Sequence, residues 1–355
     1  MKLARVAPIA AFVIFMAVVP GYLSPTWQSR LVVTGAYAIL ALGLNVVVGQ
    51  AGLLDLGYAA FFAIGSYTAA IFLGSAPLHV GHLVFPIWAI FPIAVVICMA
   101  AGFLLGFPVL RLRGDYLAIV TLGFGEIVRI LAENLNRVTG GSIGITGIPS
   151  PNIPNPFGRN YQFGANPLPF YYTTLLVIVI IVVVIWRLQE SKIGRAWVAI
   201  REDEFAAEAM GVNTLRMKLL AFAIGGGVAS FAGVMQATFN NFVSPGGFQV
   251  DVSITVLAMV VLGGMGNIAG AMLGAAAIYL VPDVMRDPTV VGQAVANQAE
   301  KYRILVFGAL LVIMMIYRPQ GLLPSKRRAR ELKHASSAAA APAVTAATVA
   351  PDEEE

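Results

Sequence analysis

Charge is what this sequence has least of. Lys and Arg number 23 and Asp and Glu 18 among 355 residues, or 12%, about half of the roughly 25% usual in soluble proteins. Residues 31–110 include a single charged residue, Asp55, and residues 219–282 a single one, Asp251. A soluble fold cannot cover its surface with so few charges. The composition excludes a soluble enzyme, a disordered protein and a nucleic-acid-binding protein, and predicts a polytopic α-helical membrane protein.

Cysteine, histidine and nucleotide-binding motifs are also scarce. Cys98 is the single cysteine, so the chain can form neither an intramolecular disulfide nor a cysteine-based metal site. His79, His82 and His334 do not make a metal-ligand cluster by their spacing. The pattern G-x-x-x-x-G-K-[ST], which cradles ATP phosphates, does not occur, and no catalytic set of side chains is visible. We therefore expect no enzymatic activity, no metal and no cofactor in this chain.

Apolar residues make up 58% of the chain and occur in long runs. A run of about 20 apolar residues is long enough to cross a bilayer as a helix. We predict about ten spans: 6–23, 31–48, 58–75, 85–107, 115–134, 169–187, 218–238, 252–263, 268–283 and 302–317. The eighth and ninth are short and flank Gly263-Gly264-Met265-Gly266-Asn267. That stretch is either a turn between two spans or a break within one helix.

The basic residues set the orientation, because cytoplasmic loops carry an excess of Lys and Arg. Lys2 and Arg5 place the N-terminus inside, and the basic cluster 326–333 places the C-terminus inside. Arg111, Arg113 and the basic residues of 187–218 mark inner loops. Two cytoplasmic termini require an even number of crossings. We therefore interpret 252–263 and 268–283 as two short spans that meet near Gly266.

The spans predict one transmembrane domain, 1–325, followed by a tail. Residues 136–168, rich in Gly and Pro, form an external loop, and the polar, amphipathic residues 188–217 lie inside. Residues 326–355 begin as a basic segment and continue as an Ala-rich acidic tail. The tail has no pattern that could bury a core, so we expect it to be disordered and cytoplasmic.

The inner segment 190–218 has the pattern of two helices. Gly211 predicts a helix end, and Thr214 is a possible N-cap of the helix that follows. Small or apolar residues recur at helical spacing: Ala196, Ala199, Ile200, Ala206, Ala207 and Met210. A solvated loop with ion pairs is the alternative, but small residues on one face favour close packing into a groove on another protein.

Three stretches, in order, resemble one family. They are GLNVVVGQAGLLDLG at 43–57, RLRGDYLAIVTLG at 111–123 followed by TGG at 139–141 and GITGIP at 144–149, and Glu204-Phe205-Ala206-Ala207 with Gly211, followed by 263–267 and Gly270. Together, over roughly 30–325, they resemble the permeases of branched-chain amino acid ABC importers, more specifically the LivM-like subunit. The third stretch is similar to the Glu-Ala-Ala…Gly coupling loop of such permeases, although Phe205 interrupts a literal Glu-Ala-Ala.

The resemblance implies a type II ABC importer permease with about ten helices, in a bacterial inner membrane. Such a permease is not an enzyme. The family pairs two homologous permeases with two cytoplasmic ATPases, which bind the ATP, and with a periplasmic binding protein that delivers the substrate. The residues implied in coupling to the ATPase are Arg201, Asp203, Glu204, Ala206, Ala207 and Gly211.

Polar residues in or near the spans are candidates for the translocation path, because polar groups in a membrane are costly and often functional. They are Asn45, Gln50, Asp55, Thr121, Glu126, Gln236 and Asn240. Asp55 is equally consistent with an N-cap in a cytoplasmic turn. Glu126 and Arg129, three residues apart, are also consistent with a structural ion pair. Asn45 is also consistent with the same cytoplasmic turn as Asp55, and Gln236 and Asn240 with solvated loop residues. Close packing or turns explain a set of glycines: Gly43, Gly49, Gly52, Gly263, Gly264, Gly266 and Gly270.

Three alternatives remain. A related ABC permease for urea or short amides shares the scaffold, so the substrate class stays open. An ion-driven secondary transporter would need paired ionisable residues at the midplane and inverted repeats, and the sequence offers Glu126 with Arg129 and no evident repeat. A membrane-embedded enzyme lacks its catalytic cluster. The permease of an ABC importer for branched-chain amino acids is the favoured hypothesis.

Overall fold

The computed structural model describes residues 16, 18–73, 86–109, 115–153, 161–163, 166–285, 308, 312, 316–317 and 321–323. These ranges are almost entirely helical. The main helices are α1 Pro25–Leu44, α2 Ala59–Phe72, α3 Ile87–Val109, α4 Asp115–Asn134, α5 Pro167–Glu190, α6 Lys192–Glu202, α7 Glu204–Ala209, α8 Thr214–Asn240, α9 Val250–Gly263 and α10 Ile268–Ala275. Short helical segments of three or four residues occur at Val19–Tyr22, Asn136–Thr139, Gly141–Ile143 and Pro245–Phe248. A π-helical segment, Asn45–Gln50, continues α1, and Ala276–Leu280 with Val281–Met285 continues α10.

Eight of the ten predicted spans, from 31–48 to 268–283, fall on described helices. Within the described ranges, five segments are long and apolar enough to cross a membrane: Pro25–Gln50, Ile87–Val109, Pro167–Glu190, Thr214–Asn240 and Pro245–Gly263. The apolar helices α2 and α10 are shorter, and α4 carries charged residues along its length. The predicted spans 6–23 and 302–317 lie mostly, and the tail 326–355 entirely, outside the described residues, so ten crossings stay a prediction.

The core of the bundle is built on α1 and α8. α8 packs against α1, α2 and α3, while α1 also packs against α5, α9 and α10. Glycines on α8 make this approach possible: a Cβ added at Gly233 would lie 2.6 Å from the Phe62 carbonyl oxygen, and one at Gly225 would lie 2.5 Å from Val47. Small residues let helix backbones come close where the surrounding lipid gives no hydrophobic drive for association.

The two short segments α9 and α10 form an antiparallel hairpin. A Cβ at Gly270 would lie 2.5 Å from the Gly263 carbonyl oxygen, and one at Gly274 would clash with the Met259 carbonyl. The turn uses positive φ at Gly264 (116°) and Gly266 (82°), a region that glycine enters without steric penalty. The stretch 263–267 is therefore a turn between two helices and not a break within one.

The bundle has two distinct ends. The first, here called the coupling end, carries the linker 51–58, the helices α6 and α7, and the turn 263–267. At the opposite end β1 (Ile145–Thr146) pairs antiparallel with β4 (Phe242–Val243), and β2 (Asn152–Ile153) pairs with β3 (Tyr161–Gln162). The described residues 136–153 and 161–163 thus lie at the opposite end of the molecule from 188–217.

Candidate functional site

Two capped helices make up most of the inner segment at the coupling end. The Ser191 hydroxyl accepts from the backbone N–H groups of Ile193 (3.2 Å) and Gly194 (3.3 Å) and begins α6. Asp203 then caps α7, because its Oδ1 accepts from the N–H groups of Phe205 (2.9 Å) and Ala206 (3.1 Å). Such side-chain caps satisfy backbone donors that a helix leaves unpaired at its start. Asp203 therefore fixes the bend between the two helices.

Gly211 ends α7 in a left-handed turn, with φ +84°. Its N–H donates to the Glu208 carbonyl (2.9 Å), and the Val212 N–H donates to the Ala207 carbonyl (3.0 Å), as in a glycine C-cap. The predicted N-cap at Thr214 was wrong by one residue. Asn213 caps α8 instead, accepting from the Arg216 N–H at 3.0 Å, because its amide oxygen reaches the orphan donor and Asn is the stronger N-cap.

One face of α6 and α7 is fixed to the bundle. Trp197 is fully buried, and its Nε1 donates to the Met217 carbonyl on α8 at 2.7 Å. Lys218, 4% exposed, forms an ion pair with Glu204, with 2.6 Å between Nζ and Oε2. Ile200 and Ala207 are buried beside them. The helix pair is therefore a rigid extension of α8 and not a solvated loop.

Arg201 also points inward. Its Nη1 donates to the Gly49 carbonyl at the end of the π-helical segment, at 2.5 Å. Gly52, with φ +72°, lies against the stem of this side chain: a Cβ there would be 2.7 Å from Arg201 Cγ. Arg201 thus connects α6 to the end of α1.

The outer face of the helix pair carries exposed apolar side chains. Phe205 is 68% exposed and Met210 is 85% exposed, and Ala206 and Gly211 are also exposed. Of the six predicted coupling residues, Asp203, Ala206 and Gly211 lie on the exposed side, whereas Arg201, Glu204 and Ala207 contact the rest of the chain. Phe205 and Met210 were not among the six predicted coupling residues, although both are large apolar residues in a polar segment.

The predicted path residue Asn45 holds the tip of the α9–α10 hairpin. It is fully buried, and its Oδ1 accepts from the Gly266 N–H at 2.8 Å. Residues 321–323 join the same turn: the Leu322 N–H donates to the Leu262 carbonyl (2.8 Å), and Asn267 Nδ2 donates to the Leu323 carbonyl (2.9 Å). No sequence signal pointed to 321–323.

Asp55 and Thr121 are brought together at the linker 51–58. Asp55 is 1% exposed; its Oδ1 accepts from the Gly57 N–H at 2.9 Å, and Oδ2 has no partner among the described residues. The Thr121 hydroxyl accepts from the Leu56 N–H at 3.0 Å. Burial raises the pKa of Asp55 to about 6, against the lowering effect of the Gly57 N–H. Asp55 shapes the linker but does not cap α2, which begins at Ala59.

Gln50, at the end of the π-helical segment, is also buried without a polar partner. It is 5% exposed, and neither its amide nitrogen nor its amide oxygen has a hydrogen-bond partner among the described residues. A buried amide left unpaired is unfavourable unless water or a ligand satisfies it. Gln50 therefore stays a candidate for the path at the coupling end.

Glu126 belongs to a charged row on one flank of α4. Arg129 bridges Glu126 (Nη2–Oε1, 2.5 Å) and Glu133 (Nη1–Oε2, 3.0 Å). The three side chains retain 36%, 21% and 41% exposure in the order Glu126, Arg129 and Glu133. The sequence indicated the first pair but missed Glu133, although its i, i+4 spacing from Arg129 was visible. The row is an ion-pair network whose outer side is not covered by the described residues.

The remaining predicted path residues lie elsewhere. Gln236 is half-buried on α8, and Asn240 is exposed at the opposite end. The seven predicted positions therefore occupy the coupling end, the flank of α4 and the opposite end. Across the described ranges, no three His, Cys, Asp or Glu side chains lie close enough together to hold a metal ion.

Comparisons with known proteins agree over most of the chain. A family model described as "Branched-chain amino acid transport system / permease component" matches residues 28–315. The chain is 44% identical over 321 residues to the high-affinity branched-chain amino acid transport system permease protein LivM of Escherichia coli (strain K12), covering 86% of this chain and 71% of that protein. It is 46% identical over 317 residues to LivM of Salmonella typhimurium, covering 84% of this chain and 70% of that protein.

A more distant relative is the permease protein LivH of the same Escherichia coli strain. The chain is 26% identical to it over 299 residues, covering 81% of this chain and 91% of that protein. The search of solved structures found no match.

Proposed function

Because the chain belongs to the family of branched-chain amino acid transport system permease components, we propose that it is one of two membrane-spanning permeases of an ABC importer. The importer carries branched-chain amino acids, as the names of the LivM and LivH relatives indicate for those proteins. This chain crosses a bacterial inner membrane about ten times, with both termini in the cytoplasm. The second subunit is a homologous permease.

The observation that carries the proposal is the two-faced helix pair α6–α7. Its inner face is anchored to α8 by Trp197 and Lys218, whereas Phe205 and Met210 stand exposed on its outer face. Exposed apolar side chains on a rigid support are typical of a binding surface for another protein. The basic residues of this segment favour a cytoplasmic position, which is where an ATPase would dock.

The energy source must be on another chain. The sequence has no P-loop, so ATP is bound by two separate cytoplasmic ATPases. A periplasmic binding protein delivers the amino acid at the opposite end. The charged row Glu126–Arg129–Glu133 supports a position for α4 away from lipid, because charges at membrane depth normally face protein or a water-filled path.

Pull-down from native membranes tests this function. Tagged native chain should recover a P-loop ATPase, whereas Phe205→Asp and Met210→Asp should lose it while remaining folded. Ile143→Asp is the matched control, because Ile143 is 78% exposed at the opposite end and should leave ATPase recovery unchanged. Glu204 is unsuitable for this purpose, since its ion pair with buried Lys218 makes it part of the support.

Uptake into proteoliposomes then tests the substrate. The assembled importer with its binding protein should accumulate leucine in an ATP-dependent manner, and isoleucine and valine should compete. Competition by urea or short amides, without competition by valine, would support the related permease class. A folded native chain that recovers no ATPase would overturn the proposal in favour of an ion-driven transporter.

A further inference from the structure

The end of α1 is completed by a side chain from the helix pair. The last carbonyl groups of a helix lack intrahelical partners and carry partial negative charge, so they favour a cation. After the π-helical segment the chain turns at Ala51, whose N–H donates to the Val46 carbonyl at 3.2 Å. The Gly49 carbonyl instead accepts from the Arg201 guanidinium. The cap of this spanning helix thus comes from α6, 152 positions along the chain.

The surroundings leave Arg201 little freedom. Gly52 leaves room for the aliphatic part of the Arg201 side chain, since a Cβ at Gly52 would lie 2.7 Å from Cγ and 3.1 Å from Cβ of Arg201. On the other side, a Cβ at Gly266 would be 3.4 Å from Arg201 Nη1 and 3.1 Å from the Gly49 carbonyl oxygen. The guanidinium therefore sits between the end of α1 and the tip of the α9–α10 hairpin.

Both neighbours of Arg201 are connected to each other. Asn45, one turn before Gly49, accepts from the Gly266 N–H at 2.8 Å, and its Nδ2 donates to the Asn267 carbonyl at 3.4 Å. Asn267 in turn donates to the Leu323 carbonyl at 2.9 Å. Hydrogen bonds therefore connect the turn of the helix that ends at Gly49 to the hairpin and to residues 321–323.

We propose that Arg201 is the positioning residue that transmits movement of the helix pair α6–α7 to the spanning helices. The inference rests on the proposed function, in which the outer face of that pair binds the ATPase. Arg201 takes no part in that contact. When the ATPase moves α6, the end of α1 follows it, because the contact between Arg201 Nη1 and the Gly49 carbonyl, at 2.5 Å, is kept only if the two groups stay together to within about 1 Å.

The test uses the full importer with its ATPases and binding protein. Arg201→Ala removes the bond to Gly49, and Arg201→Lys keeps the charge with a single donor group. Arg195→Ala is the matched control on the same helix, because Arg195 is exposed and donates to the Glu190 carbonyl of its own chain segment at 3.1 Å. Three quantities are compared: ATPase recovery, stimulation of ATP hydrolysis by loaded binding protein, and leucine uptake.

We expect Arg201→Ala to retain ATPase recovery, to lose the stimulation by loaded binding protein, and to reduce uptake by about tenfold. Arg201→Lys should be intermediate, and Arg195→Ala should match the native importer. Unchanged uptake and stimulation in Arg201→Ala would overturn the inference, and so would loss of ATPase recovery from well-folded variant, which would assign Arg201 to docking.

Two further outcomes are informative. If Arg201→Ala does not yield folded protein, Arg201→Lys decides: reduced stimulation with full ATPase recovery supports transmission, and native stimulation contradicts it. Failure of the native chain to recover any ATPase would instead refute the proposed function. The two failures are therefore distinguishable.

Discussion

The ion pair between Glu204 and Lys218 gives an asymmetric prediction for stability. Lys218 is 4% exposed, while the Glu204 side chain retains 24% exposure. Glu204→Met leaves a buried ammonium group without its counter-ion, which destabilises a protein by about 3–5 kcal/mol. Lys218→Met leaves the carboxylate, which can turn toward water, and Met fills the volume of the lysine stem. The loss is then about 1 kcal/mol, the net value of one hydrogen bond.

The double variant Glu204→Met/Lys218→Met isolates the cause. Replacing both members of a buried ion pair by apolar groups is often neutral, so the double variant should be more stable than Glu204→Met alone, by about 3–5 kcal/mol. The assay is the thermal unfolding midpoint of the purified chain in one detergent, by size-exclusion chromatography after heating. Equal losses for both single variants, or a double variant no better than Glu204→Met, would refute the reasoning.

Two more predictions follow from close packing and from burial. Gly263→Ala should strongly destabilise the chain, because its Cβ would clash with the Gly270 backbone. A Cβ at Gly123 has nothing within 4 Å, so Gly123→Ala should leave the stability unchanged or raise it by about 0.5–1 kcal/mol, as expected for replacing a glycine inside a helix. The thermal unfolding midpoints of the two variants are compared, and equal effects would contradict the close packing at Gly263.

Asp55 should make the free energy of unfolding depend on pH. Its pKa in the folded chain, about 6, lies above the ordinary 3.8, so between these pH values the folded chain binds a proton that the unfolded chain has lost. Stability should therefore fall as the pH rises from about 4 to 6 and then level off. Asp55→Asn should therefore be more stable than the native chain above about pH 6, by at most about 3 kcal/mol, and should lose that advantage near pH 4. If the difference in unfolding midpoint between Asp55→Asn and the native chain does not change with pH, burial does not raise the pKa of this carboxyl.

Helix positions were predictable from the sequence because they depend on local apolar length. The predicted span 115–134 matches Asp115–Asn134, and 252–263 nearly matches Val250–Gly263. The sequence placed a helix boundary wrongly where a charged residue is buried inside the protein. The seventh span was predicted to begin at 218, but α8 begins at Thr214, because Lys218 is buried against Glu204 and does not mark the edge of water.

The role of Arg201 could not be predicted for a related reason. Its position near the end of α6 places it close in sequence to Glu204 and Ala207 on α7, but does not show whether its side chain meets solvent or the end of α1. That depends on a contact across 152 positions. The sequence hinted at this contact only through its glycines. Gly49 and Gly52 were expected to allow another part of the chain to pack closely, but the sequence did not show which part. In the structure the partner of Gly52 is the Arg201 stem, so a single contact accounts for a glycine and an arginine that the sequence had assigned to separate tasks.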